Sequence, residues 1–367
     1  MTPTRGSGFI SGAVEQPTTT LTWSDAIGKR IRAGSWEEQA VSTVERIEEA
    51  LDAGQLEVAA QLVDYFMEEA KVCHNVYQVW VEGFERWLRD NGVGEQELAA
   101  ERERLERLLA FPDGEPFAPE PRWRALGEQA GGLAHGIRGL ALEPDAARAG
   151  LRALRESWRQ LHDRWVDLQS GLLTFVARRF GEAAIGDCYR VVLEPFLRER
   201  YAPYDTRKRP YEETVDRNLY LAFEAMRAHL CGPDRMGEID LVEHDDRWVL
   251  SFDPCGSGGR GQRGDAIEGT GSRSDPPYDF GVTQEQHDWA WNEKGVCYYC
   301  AHCCLTNERW AVEQWGAPVR VTDPPLHPLE TTGAELKPCT WTIYKSIAAI
   351  PEEAYRRLGL SKPASGS

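Results

Sequence analysis

The sequence predicts an α+β protein, with an N-terminal helical bundle followed by a Cys-rich α+β domain built on a small, mainly antiparallel sheet. Three observations carry that expectation. Apolar residues recur at helical spacing from Trp36 to about Leu230, short alternating runs take over beyond Cys231, and five of the nine cysteines fall between Cys297 and Cys339. At 367 residues the chain exceeds the ~100–200 of a single domain. The expected division is a disordered tail over 1–34, a helical domain over 35–232, a Cys-rich domain over 233–360 and a disordered tail over 361–367.

The helical half is read from apolar stripes. Leu154, Trp158, Leu161, Trp165, Leu168, Leu172 and Phe175 step by four and three, which draws one apolar face along a helix that must pack on a partner. Val41/Val44/Ile47/Leu51, Val76/Trp80/Phe84/Trp87 and Val215/Leu219/Phe223/Met226/Leu230 share that spacing, so roughly six to eight helices are expected. Phe111–Pro121 holds four prolines and marks a break between helices. In the second half, Glu238–His244 and Arg247–Asp253 flank Asp245-Asp246 as a hairpin. A Gly-rich stretch to Gly281 reads as a lid, a binding loop or disorder. Beyond it a helix is expected over Leu305–Trp315, and strands over Pro318–Thr322 and Cys339–Lys345.

Composition excludes several function classes. A net charge of -17 disfavours general nucleic-acid binding, because the field repels a polyphosphate. No stretch approaches the ~18–20 apolar residues that span a bilayer. The first twenty residues lack a secretory pattern, so a cytoplasmic protein is expected. An odd cysteine count then points to free thiols, thiolate ligands or redox chemistry rather than to a disulfide framework.

The residues able to carry chemistry cluster in the second half. Cys297-Tyr-Tyr-Cys300-Ala-His302-Cys303-Cys304 offers thiolates and an imidazole for zinc, iron or an iron–sulfur centre, although a metal-free reactive thiol and inert buried cysteines fit the same residues. Cys304 directly follows Cys303, so the two do not easily point the same way. Cys255 lies in a Gly-rich turn where backbone N–H groups can hold an anion, or it is incidental to a hairpin end. Asp253 is a ligand, a general base or a turn cap, and Arg260 is a carboxylate clamp or an ordinary loop arginine. His287, Trp289 and Trp291 form a cavity wall or pin a loop to the core. Glu68, Glu69 and His74, and likewise His162, Asp163 and Asp167, read as solvated faces.

Five motifs together resemble the family of L-2-amino-thiazoline-4-carboxylic acid hydrolases: FDPCGSGGR (Phe252 to Arg260), HDWAW (His287 to Trp291), YYCAHC (Tyr298 to Cys303), PVRVTDPP (Pro318 to Pro325) and CTWTIYK (Cys339 to Lys345). The order of elements is also weakly similar to small-molecule-binding domains of the 4-vinyl reductase type. The hydrolase resemblance implies ring opening of a small carboxylate-bearing heterocycle at an amidine carbon, giving an N-carbamoyl amino acid. It implies a single metal ion, zinc before iron, on Cys255, Cys300, His302 and Cys303, or else a Cys255 nucleophile. Asp253 or His287 would transfer protons, Arg260 or Arg320 would bind the carboxylate, and Trp289 and Trp291 would wall the substrate. A small-molecule substrate is the expected partner, with a homodimer through the helical half. The alternatives are a metal- or redox-responsive binding protein and an iron-dependent tailoring enzyme of specialised metabolism.

Overall fold

A computed structural model describes residues 20–329, 331–332 and 335–363. Most of the expected N-terminal tail (1–19) and the end of the C-terminal one (364–367) lie outside the described residues. The rest of the first tail is ordered: β1 (Leu21–Ser24) and β2 (Lys29–Arg32) pair as an antiparallel hairpin. Arg32 anchors it by donating to the Val41 carbonyl at 2.8 Å and to Thr43 at 3.2 Å.

The first region is mostly helical. It contains α1 (Trp36–Ala40), α2 (Thr43–Asp52), α3 (Leu56–Asp90), α4 (Glu95–Leu108), α5 (Pro119–Arg138), α6 (Pro144–Phe180), α7 (Ala184–Arg200) and α8 (Val215–Ala228). The proline-rich break falls between α4 and α5, and Pro119 opens α5, where a missing N–H costs nothing. In the α6 stripe Leu154, Trp158, Leu161, Trp165, Leu168 and Leu172 are buried, as the spacing requires. Among the described residues no helix is long and apolar enough to cross a membrane.

The second region carries a four-stranded antiparallel sheet in the order β3 (Asp240–Glu243), β4 (Arg247–Phe252), β8 (Cys339–Tyr344), β5 (Val321–Asp323). The short strands β6 (Thr331–Thr332) and β7 (Glu335–Leu336) pair separately. Alternation decides which face is buried: Trp248, Leu250 and Phe252 of β4, with Cys339, Trp341 and Ile343 of β8, point to one core. That core is shared with Leu219, Phe223 and Met226 of α8. A second core runs without interruption from the helices to Trp291, Tyr299 and Trp310, so apolar packing crosses the expected boundary at residue 232.

The remaining helices are short: α9 (Gly258–Arg263), α10 (Ala301–Cys303), α11 (Trp310–Trp315) and α12 (Glu353–Arg356). A π-helical segment, Cys304–Arg309, joins α10 to α11, so the helix expected from Leu305 begins four residues early, at Ala301. The Gly-rich stretch after α9 is no free lid. Asp265 and Thr270 bridge it internally, and Arg273 binds Asp167 of α6 at 2.7 Å.

Candidate active site

Four segments meet around a cavity of about 140 Å³. From α3 come Tyr77 and Trp80, and the residue that caps α8, His229, joins them. The turn after β4 contributes Cys255 and Ser257. Cys300, His302 and Cys303 line it from the start of α10, and Trp291, Arg320, Cys339 and Trp341 complete the wall. An apolar cavity of ~150 Å³ holds one benzene-sized ring, which sets the scale of an occupant.

Backbone geometry delivers each group. Phe252 pairs with Cys339 across the sheet, so the turn beyond β4 carries Cys255 back over the first residue of β8. A Cβ on Gly256 would stand 1.6 Å from the His229 carbonyl oxygen, and one on Gly258 would stand 2.1 Å from Cys300 Sγ. The glycines are therefore needed for close approach. The π-turn leaves the Asn307 carbonyl free to accept the Val319 N–H at 2.7 Å, and this fixes the chain that presents Arg320. Trp291 adopts a left-handed φ of 56°, held by its N–H on Cys304 Sγ (3.2 Å) and its indole on Glu308 (2.8 Å). Holding a bulky side chain there costs on the order of 1–3 kcal/mol, which the surrounding contacts must supply.

The sulfurs differ sharply. The Cys255 thiol is lowered to about 6, mainly by a hydrogen bond from Cys339, which outweighs burial, and further by the Gly259 N–H. That N–H lies 3.0 Å from Cys255 Sγ. The anion this Gly-rich turn holds is thus the thiolate itself. The Cys339 thiol is raised well above its ordinary value as the donor of that bond. Burial pushes Cys303 up to about 12, and likewise lowers His302 to about 4. His302 Nδ1 donates to the Tyr299 carbonyl at 2.5 Å, leaving Nε2 as an acceptor 3.3 Å from Cys303 Sγ. Cys304 points away from the cavity, as its adjacency to Cys303 requires.

The four expected metal ligands share one wall, yet they pair off rather than converge. Cys255 bonds Cys339, Cys300 bonds Cys297, and Cys303 faces His302. Among the described residues no three His, Cys, Asp or Glu side chains are arranged to hold a metal ion.

Two buried arginines that look alike in sequence part company here. Arg260, 1% exposed, binds Asp167 at 2.5 Å and lies 3.7 Å from Asp163 and 3.9 Å from Asp265, so its charge is already matched. Arg320, 5% exposed, has no carboxylate within ion-pair distance among the described residues, and its Nε lacks a hydrogen-bond partner. Its guanidinium sits 4.5 Å over the Trp341 ring and faces the cavity. Three other expected site residues lie outside the lining. Asp253 pairs with Arg263, His287 binds Glu182 at 2.7 Å, and Trp289 stacks on His287 at 4.6 Å.

Of the residues read as solvated faces, Glu68 is exposed and the others prove buried. Glu69 and His74 are 3% and 2% exposed, and Glu69 pairs with Arg227 at 2.7 Å. His162, Asp163 and Asp167 are 0–2% exposed. His162 Nδ1 lies 2.8 Å from Asp163, and His162 Nε2 lies 2.8 Å from His229 Nδ1. Tyr77 Oη lies 2.9 Å from that same Nδ1 and 3.0 Å from Tyr299 Oη. Sequence reasoning missed Tyr77, Trp80 and His229 as site residues, because each reads locally as an ordinary helix residue. Comparison with family models, curated proteins and solved structures yields no match.

Proposed function

We propose that the protein is a cysteine-dependent hydrolase that opens a small, planar, carboxylate-bearing heterocycle at an amidine carbon, with a 2-amino-thiazoline-4-carboxylate as the favoured substrate class. One observation carries the reading: a stabilised thiolate, Cys255, shares a single-ring cavity with a buried guanidinium, Arg320, that no described carboxylate matches. Burying a charge without a partner is costly. A bound carboxylate would repay that cost, through a bidentate contact suited to the guanidinium fork. Trp291 and Trp341 add aromatic surface to the cavity wall. The resemblance of the motifs to thiazoline carboxylate hydrolases points to the same chemistry.

In the proposed reaction Cys255 Sγ attacks the amidinium carbon, and the ring carbon–sulfur bond breaks with the ring sulfur leaving as a thiolate. Water then adds to the carbon of the S-linked amidinium and the C–Sγ bond breaks. Of the two protons the water gives up, one goes to the product thiolate and one to solvent, and Cys255 is regenerated as thiolate. One water is consumed, and the product is an N-carbamoyl amino acid bearing a free thiol.

The test is incubation of the full chain with L-2-amino-thiazoline-4-carboxylate, followed by mass spectrometry for the carbamoyl product. Turnover in the wild type and a loss on the order of 10⁴-fold or more in Cys255→Ala are expected. Turnover that survives this substitution, or no turnover of any 2-amino-thiazoline carboxylate, overturns the reading.

A further inference from the structure

The thiolate chemistry leaves His229, which lines the cavity, and His162, which hydrogen-bonds it, unused, and their hydrogen bonds determine where every proton on them sits. Burial alone would raise the Asp163 carboxyl, but Arg235, Arg260 and the His162 bond outweigh it and hold the group well below the usual carboxylate range. Arg235 grips both Asp163 oxygens at 2.7 and 3.1 Å. An ionised carboxylate only accepts, so the proton between Asp163 and His162 belongs to His162 Nδ1. Burial disfavours a second proton on His162, which leaves its Nε2 with a lone pair. Two lone pairs cannot face each other across 2.8 Å, so His229 Nδ1 must carry a hydrogen and donate it. Burial and the neighbouring His162 keep His229 neutral as well, and its Nε2 is therefore bare. No described residue hydrogen-bonds that Nε2, and His229 lines the cavity with Cys255.

We propose that His229 is a catalytic general base of this cavity, whose Nε2 takes a proton from the water that releases product from Cys255, while His162 and Asp163 are positioning residues that hold its tautomer. The assignment rests on the thiolate-hydrolase reading above. As the water oxygen bonds to the amidinium carbon, one O–H bond breaks and its proton passes to His229 Nε2. The Nδ1 hydrogen then shifts to His162 Nε2, which places the positive charge beside the Asp163 carboxylate. When the C–Sγ bond has broken, the reverse shift returns the proton through His229 to the product thiolate. The arrangement extends the ordinary carboxylate–histidine pair by one imidazole, carrying a buried anion's influence to a base that does not touch it. The other titratable or charged groups around the pair are Tyr77, Tyr299, His302, Arg235 and Arg260. None of them is a carboxylate that could take the base's place.

Two measurements test it. In uniformly ¹⁵N-labelled full-length protein at neutral pH, two-bond ¹⁵N–¹H imidazole correlations are expected to show His229 with Nδ1 protonated and Nε2 bare. His162→Phe, which keeps a ring against Trp158, is expected to move that proton to Nε2, the ordinary preference in water. A His229 protonated on Nε2 in the wild type overturns the assignment with no variant needed. With the thiazoline carboxylate, His229→Gln is expected to lower turnover ~10²–10⁴-fold, to retain iodoacetamide alkylation of Cys255, and to accumulate the S-linked adduct in intact-mass spectra. Wild-type turnover with an unaffected His229→Gln variant overturns the base assignment alone. Absence of wild-type turnover removes the hydrolase reading and the base with it.

Discussion

Two buried polar regions of this molecule follow opposite rules. Along one side of α6, Arg159, Arg164, Arg235, Arg260 and Arg273 interlock with Asp163, Asp167, Asp265, Glu156 and Glu268, so the cations and anions match in number. In the neighbouring cavity, Arg320 stands without a described carboxylate and Cys255 is held as a thiolate by neutral donors. The matched network fastens the Gly-rich stretch and the turn after α8 onto a helix. In the proposed function the unmatched guanidinium is met by the carboxylate of the substrate. Matching marks the structural region and mismatch marks the chemical one.

That contrast can be broken most forcefully from the matched side. Asp163→Ala removes the carboxylate gripped by Arg235 and Arg159 and leaves Asp265 alone between them, and a loss of about 3–5 kcal/mol is expected in denaturant unfolding. From the unmatched side, Arg320→Met should leave the unfolding midpoint unchanged or raised, because it removes a buried charge that no described carboxylate balances. The same variant should weaken binding of the thiazoline carboxylate ~10–100-fold, or about 1.4–2.8 kcal/mol, by isothermal titration. Equal destabilisation by both substitutions would erase the distinction.

Smaller effects sharpen it. Alkylation of Cys255 by iodoacetamide should be half-maximal near pH 6 and fall as acid protonates the thiolate. Cys339→Ala removes the leading hydrogen bond to that sulfur, so the midpoint should move upward toward an ordinary thiol, as peptide mapping across a pH series would show. The least change is expected from Asp253→Ala. Its pair with Arg263 is half exposed, and loss of at most ~1 kcal/mol of stability with unaltered turnover should follow. A large fall in turnover would return Asp253 to the site.

Much of the fold could be read from periodicity. The α6 stripe, the break before Pro119, the hairpin around Asp245-Asp246 and the alternating β8 strand each depend on neighbours a few residues away, and each appears where expected. The hairpin Leu21–Arg32 could not be read in this way, because its short strands are polar and take their anchor from Arg32 on α2 and the segment before it. His162 and Asp163 lie beside an apolar stripe and so read as solvated. They are buried because arginines from 72 and 97 residues away meet them there.

What the sequence by itself determined is the α+β order of elements and the cysteine-bearing turns, since hydrophobic period, proline and glycine act locally on the backbone. Only the tertiary structure decided that Arg260 is matched and Arg320 is not, that Cys255 meets Cys339, and that His229 joins a chain leading to Asp163. Charge matching and proton placement depend on distances between side chains far apart in sequence, and those distances exist only after the helices and the sheet have packed.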